Sequence, residues 1–361
     1  MDASVVSQPL DAVSWYIAYV RSTALSTFWA PGGSFSIYSL ATSLLVAVGF
    51  LLWRRKTGRR PLRLKVLMRA VFPQSIVGHR SAAFDVQLFL LNTFVFTLLF
   101  GWAILSFQLV SAFVNGQLIG WFGAQTATTW PWLATAVVIA LALFLAYEFG
   151  YWLDHYLSHA IPFLWEFHKV HHTAEVLTPL TNYRVHPGDT IVFYNVLALT
   201  MGTTEGVLNY LLGKPIAPLS LWSSNVFILA GTYFLEHLHH TQFWIPFTGI
   251  WGKIFLSPAH HQIHHSTNPI HFNRNMGSCL SIFDWMFGTL HIPSKTREKL
   301  VFGVDEDGPV DPHTWSEGLI LPVVRAGGHL LPLLQAPARA LKKLLPARTT
   351  VASPDTSQPA G

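Results

Sequence analysis

Apolar residues in this chain fall into long unbroken runs, not into the alternating or three-and-four spacing of a water-soluble core. Residues 35–53 carry no charge, and neither do residues 86–110. Residues 130–153 are apolar apart from Glu148. A weaker run at 191–212 is interrupted by Gly202 and Glu205, and a fifth, uncharged run at 216–235 follows a short connection. About 20 apolar residues cross a bilayer as a helix. The first three runs therefore predict spans, and the last pair predicts either two spans or a shallow re-entrant hairpin. The expected fold class is an all-α integral membrane protein with four to five transmembrane helices.

Composition agrees with this pattern. The 361 residues are 51% hydrophobic and 11% charged, against about 25% charged in soluble domains. The single cysteine, Cys279, excludes an internal disulfide framework and a cysteine-based zinc site. A net charge of +5 is modest and points to no nucleic-acid partner. Its distribution sets orientation. Arg54, Arg55, Lys56, Arg59, Arg60, Arg63, Lys65 and Arg69 follow the first run, whereas residues 111–129 are uncharged. The positive-inside rule places the first loop in the cytoplasm and the second outside. By parity, residues 155–186 and 237–271 share the cytoplasmic side. Residues 1–34 form an N-terminal extracytoplasmic segment without the pattern of a cleaved signal peptide. Residues 35–330 form the membrane-embedded domain. Residues 331–361 form a tail, with a short basic amphipathic helix expected at 341–345 and disorder after Pro346.

Fourteen of the eighteen histidines lie between His155 and His271. "DHYLSH" places His155 and His159 on one helical face. "HKVHH" repeats that face with His168, His171 and His172, after Pro162, a good first helical residue. "EHLHH" holds His237, His239 and His240. "SPAHHQIHH" holds His260, His261, His264 and His265, with Ser257 placed to cap and Pro258 to start a helix. His186 stands alone in "VHP". Isolated histidines such as His79, His291, His313 and His329 read as surface or internally bonded residues, and His239 and His271 lean the same way. Neutral imidazole is the commonest metal ligand. Eight to ten ring nitrogens are too many for one ion and suit two. The HExxH signature of zinc proteases is absent. A nitrogen-rich pair with room for oxygen fits iron, although imidazole alone leaves zinc, copper and manganese open. The rival classes are a zinc-dependent membrane hydrolase, which needs fewer histidines, and a histidine-rich metal transporter, which would place its ligands along the spans.

Glu148 lies seven residues before His155 and eleven before His159, on their helical face. An acid inside a span is costly and usually functional, so Glu148 reads as a carboxylate that orients a ligand ring. Asp284 in "FDWMFG" and Asn275 in "NRNMG" are candidates for the same work. Tyr151, Trp152 and Trp285 read as packing or interfacial aromatics.

Taken together, "YEFGYWLDHYLSH", "HKVHH", "HP", "HHQIHH" and "NRNMGSCLSIFDWMFGTL" resemble the fatty acid hydroxylase/sterol desaturase superfamily of integral membrane di-iron enzymes, over residues 148–290. The resemblance is greatest to bacterial members and to the alkylglycerol monooxygenase branch. It implies a transmembrane bundle under a cytosolic helical cap that holds two irons, in a bacterial inner membrane. It implies O2-dependent hydroxylation or desaturation of an unactivated C–H bond in a membrane lipid. By position it implies His155, His159, His168, His171, His172, His240, His261, His264 and His265 as metal ligands, with His186 matching a histidine of some branches only. Tyr156 stands where the family usually has arginine. Neither a dinucleotide-binding glycine motif nor a fused cytochrome b5 motif is present. Electrons are therefore expected from a separate protein, a ferredoxin or a cytochrome b5 with its reductase.

Overall fold

The computed structural model describes residues 12–58, 63–304 and 311–331. Arg59, Arg60 and the helix expected at 341–345 lie outside them. Four helices are long and apolar enough to cross a membrane: Ile37–Thr57, Arg80–Phe122, Trp132–Ala160 and Pro187–Leu212. The first begins where the Ser36 side chain accepts from Ser39 N. It runs through Arg54, Arg55 and Lys56, because cations suit the carbonyl end of a helix.

The second candidate span is longer than its uncharged run and is broken. A π-turn occupies Asn92–Phe96, a 3-10 turn occupies Gly101–Ala103, and the helix restarts after Ser106. Backbone groups freed in an apolar layer need partners, and Asn195 supplies them. Its Oδ1 accepts from Leu105 N at 2.8 Å, and its Nδ2 donates to Ala103 O at 3.0 Å. The 29 residues of Trp132–Ala160 rise ~43 Å, more than the ~30 Å of hydrocarbon. Its last turns, with His155 and His159, can therefore project beyond the apolar layer.

The weak hydropathy of Pro187–Leu212 comes from Asp189, Asn195, Glu205 and Asn209, while its glycines serve packing. A Cβ at Gly202 would lie 2.7 Å from Val110 Cβ, and one at Gly206 would lie 2.6 Å from Ser111 O. Small residues four apart let two helix backbones approach closely. The helix ends at Gly213, whose φ is +66°.

The fifth run does not form a full helix. Residues 214–225 are non-helical apart from a two-stranded antiparallel pair, Ser220–Leu221 with Ser224–Asn225. They lean on the third span through Leu219 N to Ala136 O (2.9 Å) and Asn225 Nδ2 to Ala140 O (2.7 Å). Only residues 226–239 are helical, with a π-turn at Thr232–Glu236. That is too short to cross alone. A further helix, Ala12–Phe28, forms where no span was expected; Phe28 packs on Phe35 and Phe89.

Short helices at Pro162–His172, Gly249–Ile254, Pro258–His264 and Ile282–Phe287 gather the histidines at the end of the bundle. A fully buried ion pair, Arg184–Asp85 at 3.0 Å, locks them to the second span. Asp85 also accepts from Thr178 and Thr181, and Arg184 donates to Val170 O, in the histidine-bearing helix. A buried pair holds only when its remaining hydrogen-bonding capacity is filled in this way.

Candidate metal centre

Two groups of imidazoles come together. His155, His159, His168, His172 and His264 form one, and His171, His240, His261 and His265 form the other; within each group the ligand atoms lie within 4.8 Å of one another. The two HxxHH motifs are divided in the same way. In each, positions i and i+4 go to one group and i+3 to the other. Neighbouring helical side chains diverge by ~100°, so adjacent histidines can serve two sites, and the tandem HH is the means of building a pair.

In the second group, His240 Nε2 lies 2.9 Å from His261 Nε2 and 3.1 Å from His265 Nε2, and those two are 3.1 Å apart. His171 Nε2 is 3.2 Å from His240 Nε2. A ring nitrogen either carries a proton or offers a lone pair. Three in mutual contact cannot be paired donor to acceptor around the triangle, so one edge always sets like against like. A cation at the centre removes the conflict, since all three lone pairs can point at it. The separations are those of neighbouring ligands on bonds of ~2.1 Å. The first group shows the same spacing, with His172 Nε2 at 3.1 Å from His159 Nε2 and 3.2 Å from His264 Nε2. Nε2 of His155 and of His168 are buried without a hydrogen-bond partner among the described residues. Both groups fit a metal ion.

Electrostatics favour the ligand form. Burial, then the neighbouring imidazoles, pushes His171, His172, His240, His261 and His265 well below the usual histidine range. Burial lowers His264 to about 3. These rings are neutral at pH 7 and keep a lone pair for a cation.

The polar residues singled out in the sequence act one step further away than expected. Glu148 bonds no histidine. Its Oε2 accepts from Cys279 N (2.9 Å) and Leu280 N (2.7 Å). Asp284 accepts from Met276 N, Gly277 N and Thr289 Oγ1, and Asn275 bonds His260 O and the His291 backbone. All three hold the loop at residues 274–280. That loop offers Arg274 O to His264 Nδ1 and Met276 O to His155 Nδ1, both at 2.8 Å. The sequence reading of Glu148 as a direct orienter of a ring is therefore corrected: backbone carbonyls orient the rings, and the acids orient the backbone. Asn275 sits at φ +59°, a conformation asparagine tolerates better than most residues.

His186 also departs from its expected role. Its Nδ1 accepts from Gly188 N and its Nε2 donates to Leu319 O, so it caps a helix and lies in neither group. His237 donates to Ser34 O, His239 contacts Leu256 O, and His260 closes a capping box with Ser257. The acid that does touch a ring, Asp189, had gone unnoticed. Its Oδ2 is 3.1 Å from His168 Nδ1. The only available signal was an acid in the first turn after "HPG", which reads equally well as a helix-start residue. Tyr156 stacks on Trp152 at 5.3 Å, outside the centre.

A cavity of about 830 Å³ opens from His155, His168, His171, His240 and His261 toward Phe96, Phe100 and Ile104 of the broken second span. One end is lined by imidazole and the other by groups of the apolar layer.

The sequence profile of the fatty acid hydroxylase family matches residues 140–289. Over 190 residues the chain is 32% identical to the ornithine lipid hydroxylase OlsE of Rhizobium tropici, covering 53% of this chain and 52% of that protein. It is 28% identical over 189 residues to the alkylglycerol monooxygenase of Danio rerio, covering 50% and 34%. It is 26% identical over 211 residues to the Delta(7)-sterol 5(6)-desaturase erg3C of Aspergillus fumigatus, covering 52% and 62%. The chain thus spans between a third and two thirds of these relatives' length. No solved structure matches it.

Proposed function

This chain carries a fatty acid hydroxylase domain and belongs to the superfamily that also holds the sterol desaturases, and from that premise we propose that it is a di-iron membrane enzyme that uses O2 to oxidise an unactivated C–H bond of a lipid. The observation that carries this reading is the closed triangle of His240, His261 and His265 nitrogens beside a second imidazole group, both at the head of a cavity reaching into the bundle. Two ferrous ions held there would supply the reduction of O2 to an oxidant able to take hydrogen from carbon, giving an alcohol or, with loss of a second hydrogen, an alkene.

The chain's own residues have four tasks. Nine imidazoles supply the ligands. Asp189, Arg274 O and Met276 O fix the tautomers of His168, His264 and His155, so that Nε2 of each presents its lone pair. The buried surroundings keep bulk water from the reacting atoms. The cavity walls position the substrate carbon, and positioning of this kind supplies much of a catalytic barrier's reduction. In our reading the histidine face is cytoplasmic, as the basic residues after the first span direct, and a separate reductant protein docks there.

The test is metal content and turnover together. Protein prepared without oxygen should hold close to two irons per chain and consume O2 when given a chemical reductant and extracted membrane lipid. One tightly held zinc with hydrolytic release of acyl chains would replace this reading with a hydrolase.

A further inference from the structure

Two short helices at the histidine-bearing end, Gly249–Ile254 and Ile282–Phe287, present an apolar face that no other described residue covers. Ser281 joins them: its N donates to Ile254 O at 3.0 Å and its Oγ to Gly252 O at 2.9 Å. Ile250, Trp251 and Phe255 on one side and Trp285, Met286 and Phe287 on the other are all exposed, Trp251 by 64% and Met286 by 65%. An apolar patch of this kind marks a contact with a protein or with a membrane.

Depth along the bundle decides between the two. Trp130 and Trp132 are exposed at the start of the third span, and tryptophans gather at both membrane interfaces. Trp152 follows Trp132 by twenty residues, a rise of ~30 Å, which is about the thickness of the hydrocarbon layer. The Phe287 ring stacks on Trp152 at 4.4 Å, and Phe283 packs on Phe149 at 5.5 Å. The patch therefore continues the surface of that span at the level of its second interface. The first span agrees. Its exposed Trp53 and the Arg54, Arg55 and Lys56 that follow mark the interface there. Leu238 and Phe243 form a cluster with Ala47, and Ile245 packs against it; Ala47 lies ~9 Å short of Trp53 along the helix. The chain thus enters Gly249–Ile254 from inside the apolar layer. Cations border the patch, as they border helices that lie in an interface. Lys253 Nζ is 5.2 Å from the centre of the Trp285 ring, and Arg274 donates to Gly288 O at 2.7 Å.

We propose that these two helices are seated in the bilayer interface on the histidine-bearing side, with Trp251, Trp285 and Met286 among acyl chains and Lys253 and Arg274 beside lipid phosphates. The inference does not depend on which metal is bound. The seat holds the loop at residues 274–280 at headgroup depth. That loop's carbonyls bond His155 and His264, so these rings lie beside the lipid and not above it.

The test uses the full-length protein in liposomes, with a bimane fluorophore on Trp251→Cys or on Met286→Cys. Leu45→Cys, exposed on the first span, is the lipid standard, and Lys299→Cys, exposed at the histidine-bearing end, is the water standard. Buried Cys279 stays in place, and the unsubstituted protein gives the blank. Phosphatidylcholine brominated on its acyl chains should quench the labels at 251 and 286 as strongly as the label at 45. Aqueous iodide should quench them about fivefold less than the label at 299, as burial in the interface requires. Quenching by iodide alone would turn the face to water, and protection from both quenchers would give it to a protein partner; either result overturns the inference. If a cysteine variant fails to fold, the unsubstituted protein is photolabelled with phosphatidylcholine that carries a diazirine on an acyl chain. Adducts should then map to residues 250–255 and 285–287 as well as to the four long helices. Adducts confined to the long helices overturn the inference.

Discussion

The two imidazole groups are built from the same motif and supported differently. In the first, His155, His168 and His264 each have their Nδ1 bonded, to Met276 O, Asp189 and Arg274 O. In the second, Nδ1 of His171, His240, His261 and His265 finds no hydrogen-bond partner among the described residues. Outer partners fix ring orientation and raise ligand basicity. The contrast suggests that the five-ring site holds its ion in a prepared cradle, while the four-ring site gains its order from the ion itself. Two metals in one centre need not be held equally, and the following changes test whether they are.

The largest effect should come from removing a ligand. His264→Ala takes one nitrogen from the first group, and His240→Ala takes the ring that contacts three others in the second. Each should abolish turnover and reduce metal from about two ions per chain to about one, by elemental analysis. If either variant keeps both ions and its activity, the assignment of that ring fails.

Stepwise chelation sharpens the comparison directly. The unsupported group should lose its ion first, with an affinity lower by ~10–100-fold, the usual effect of missing outer partners. Two spectroscopically distinct irons that disappear together would remove the asymmetry.

Asp189→Asn removes the one carboxylate that, among the described residues, contacts a ligand ring. Turnover should fall by ~10–100-fold and the five-ring site should weaken, with the four-ring site unchanged. Glu148→Gln should do less. It retains an oxygen for Cys279 N and Leu280 N, and the carboxylate reaches His155 only through the loop. Both irons should stay, and turnover should fall by less than in Asp189→Asn. An equal or larger loss would return Glu148 to a direct role in the chemistry.

The smallest change is His186→Ala. It should leave both metals in place and cost about 1 kcal/mol of stability, as loss of a helix cap does, seen as a lower unfolding temperature. Loss of an ion from this variant would restore His186 to the ligand set.

What could be read from the sequence was what obeys a local period. Uncharged runs gave the spans at Ile37–Thr57 and Trp132–Ala160, and helical spacing of i+3 and i+4 gave eight of the nine histidines that converge, His240 being implied by the family resemblance alone. Hydrophobicity could not show that residues 214–225 are non-helical, since apolar residues suit either conformation where Leu219 N finds Ala136 O and the Asn225 side chain finds Ala140 O. Nor could it show the break at 104–106, which depends on Asn195, some 90 residues away. Glu148, Asp284 and Asn275 were legible as buried polar groups, but their partners are backbone amides and carbonyls, which no side-chain pattern reveals. The roles of His186 and Asp189 were hidden for a related reason. A histidine before proline reads the same as ligand or cap, and an acid in a first turn reads as dipole complement.

The central claim is that this chain holds two metal ions, one in each imidazole group. Mössbauer spectroscopy of anaerobic protein loaded with 57Fe, with iron quantified on the same sample, tests it most directly. The account predicts two irons per chain in two distinguishable environments of equal weight, with one of them lost in His264→Ala. A single environment at one iron per chain, unaffected by that substitution, would contradict it.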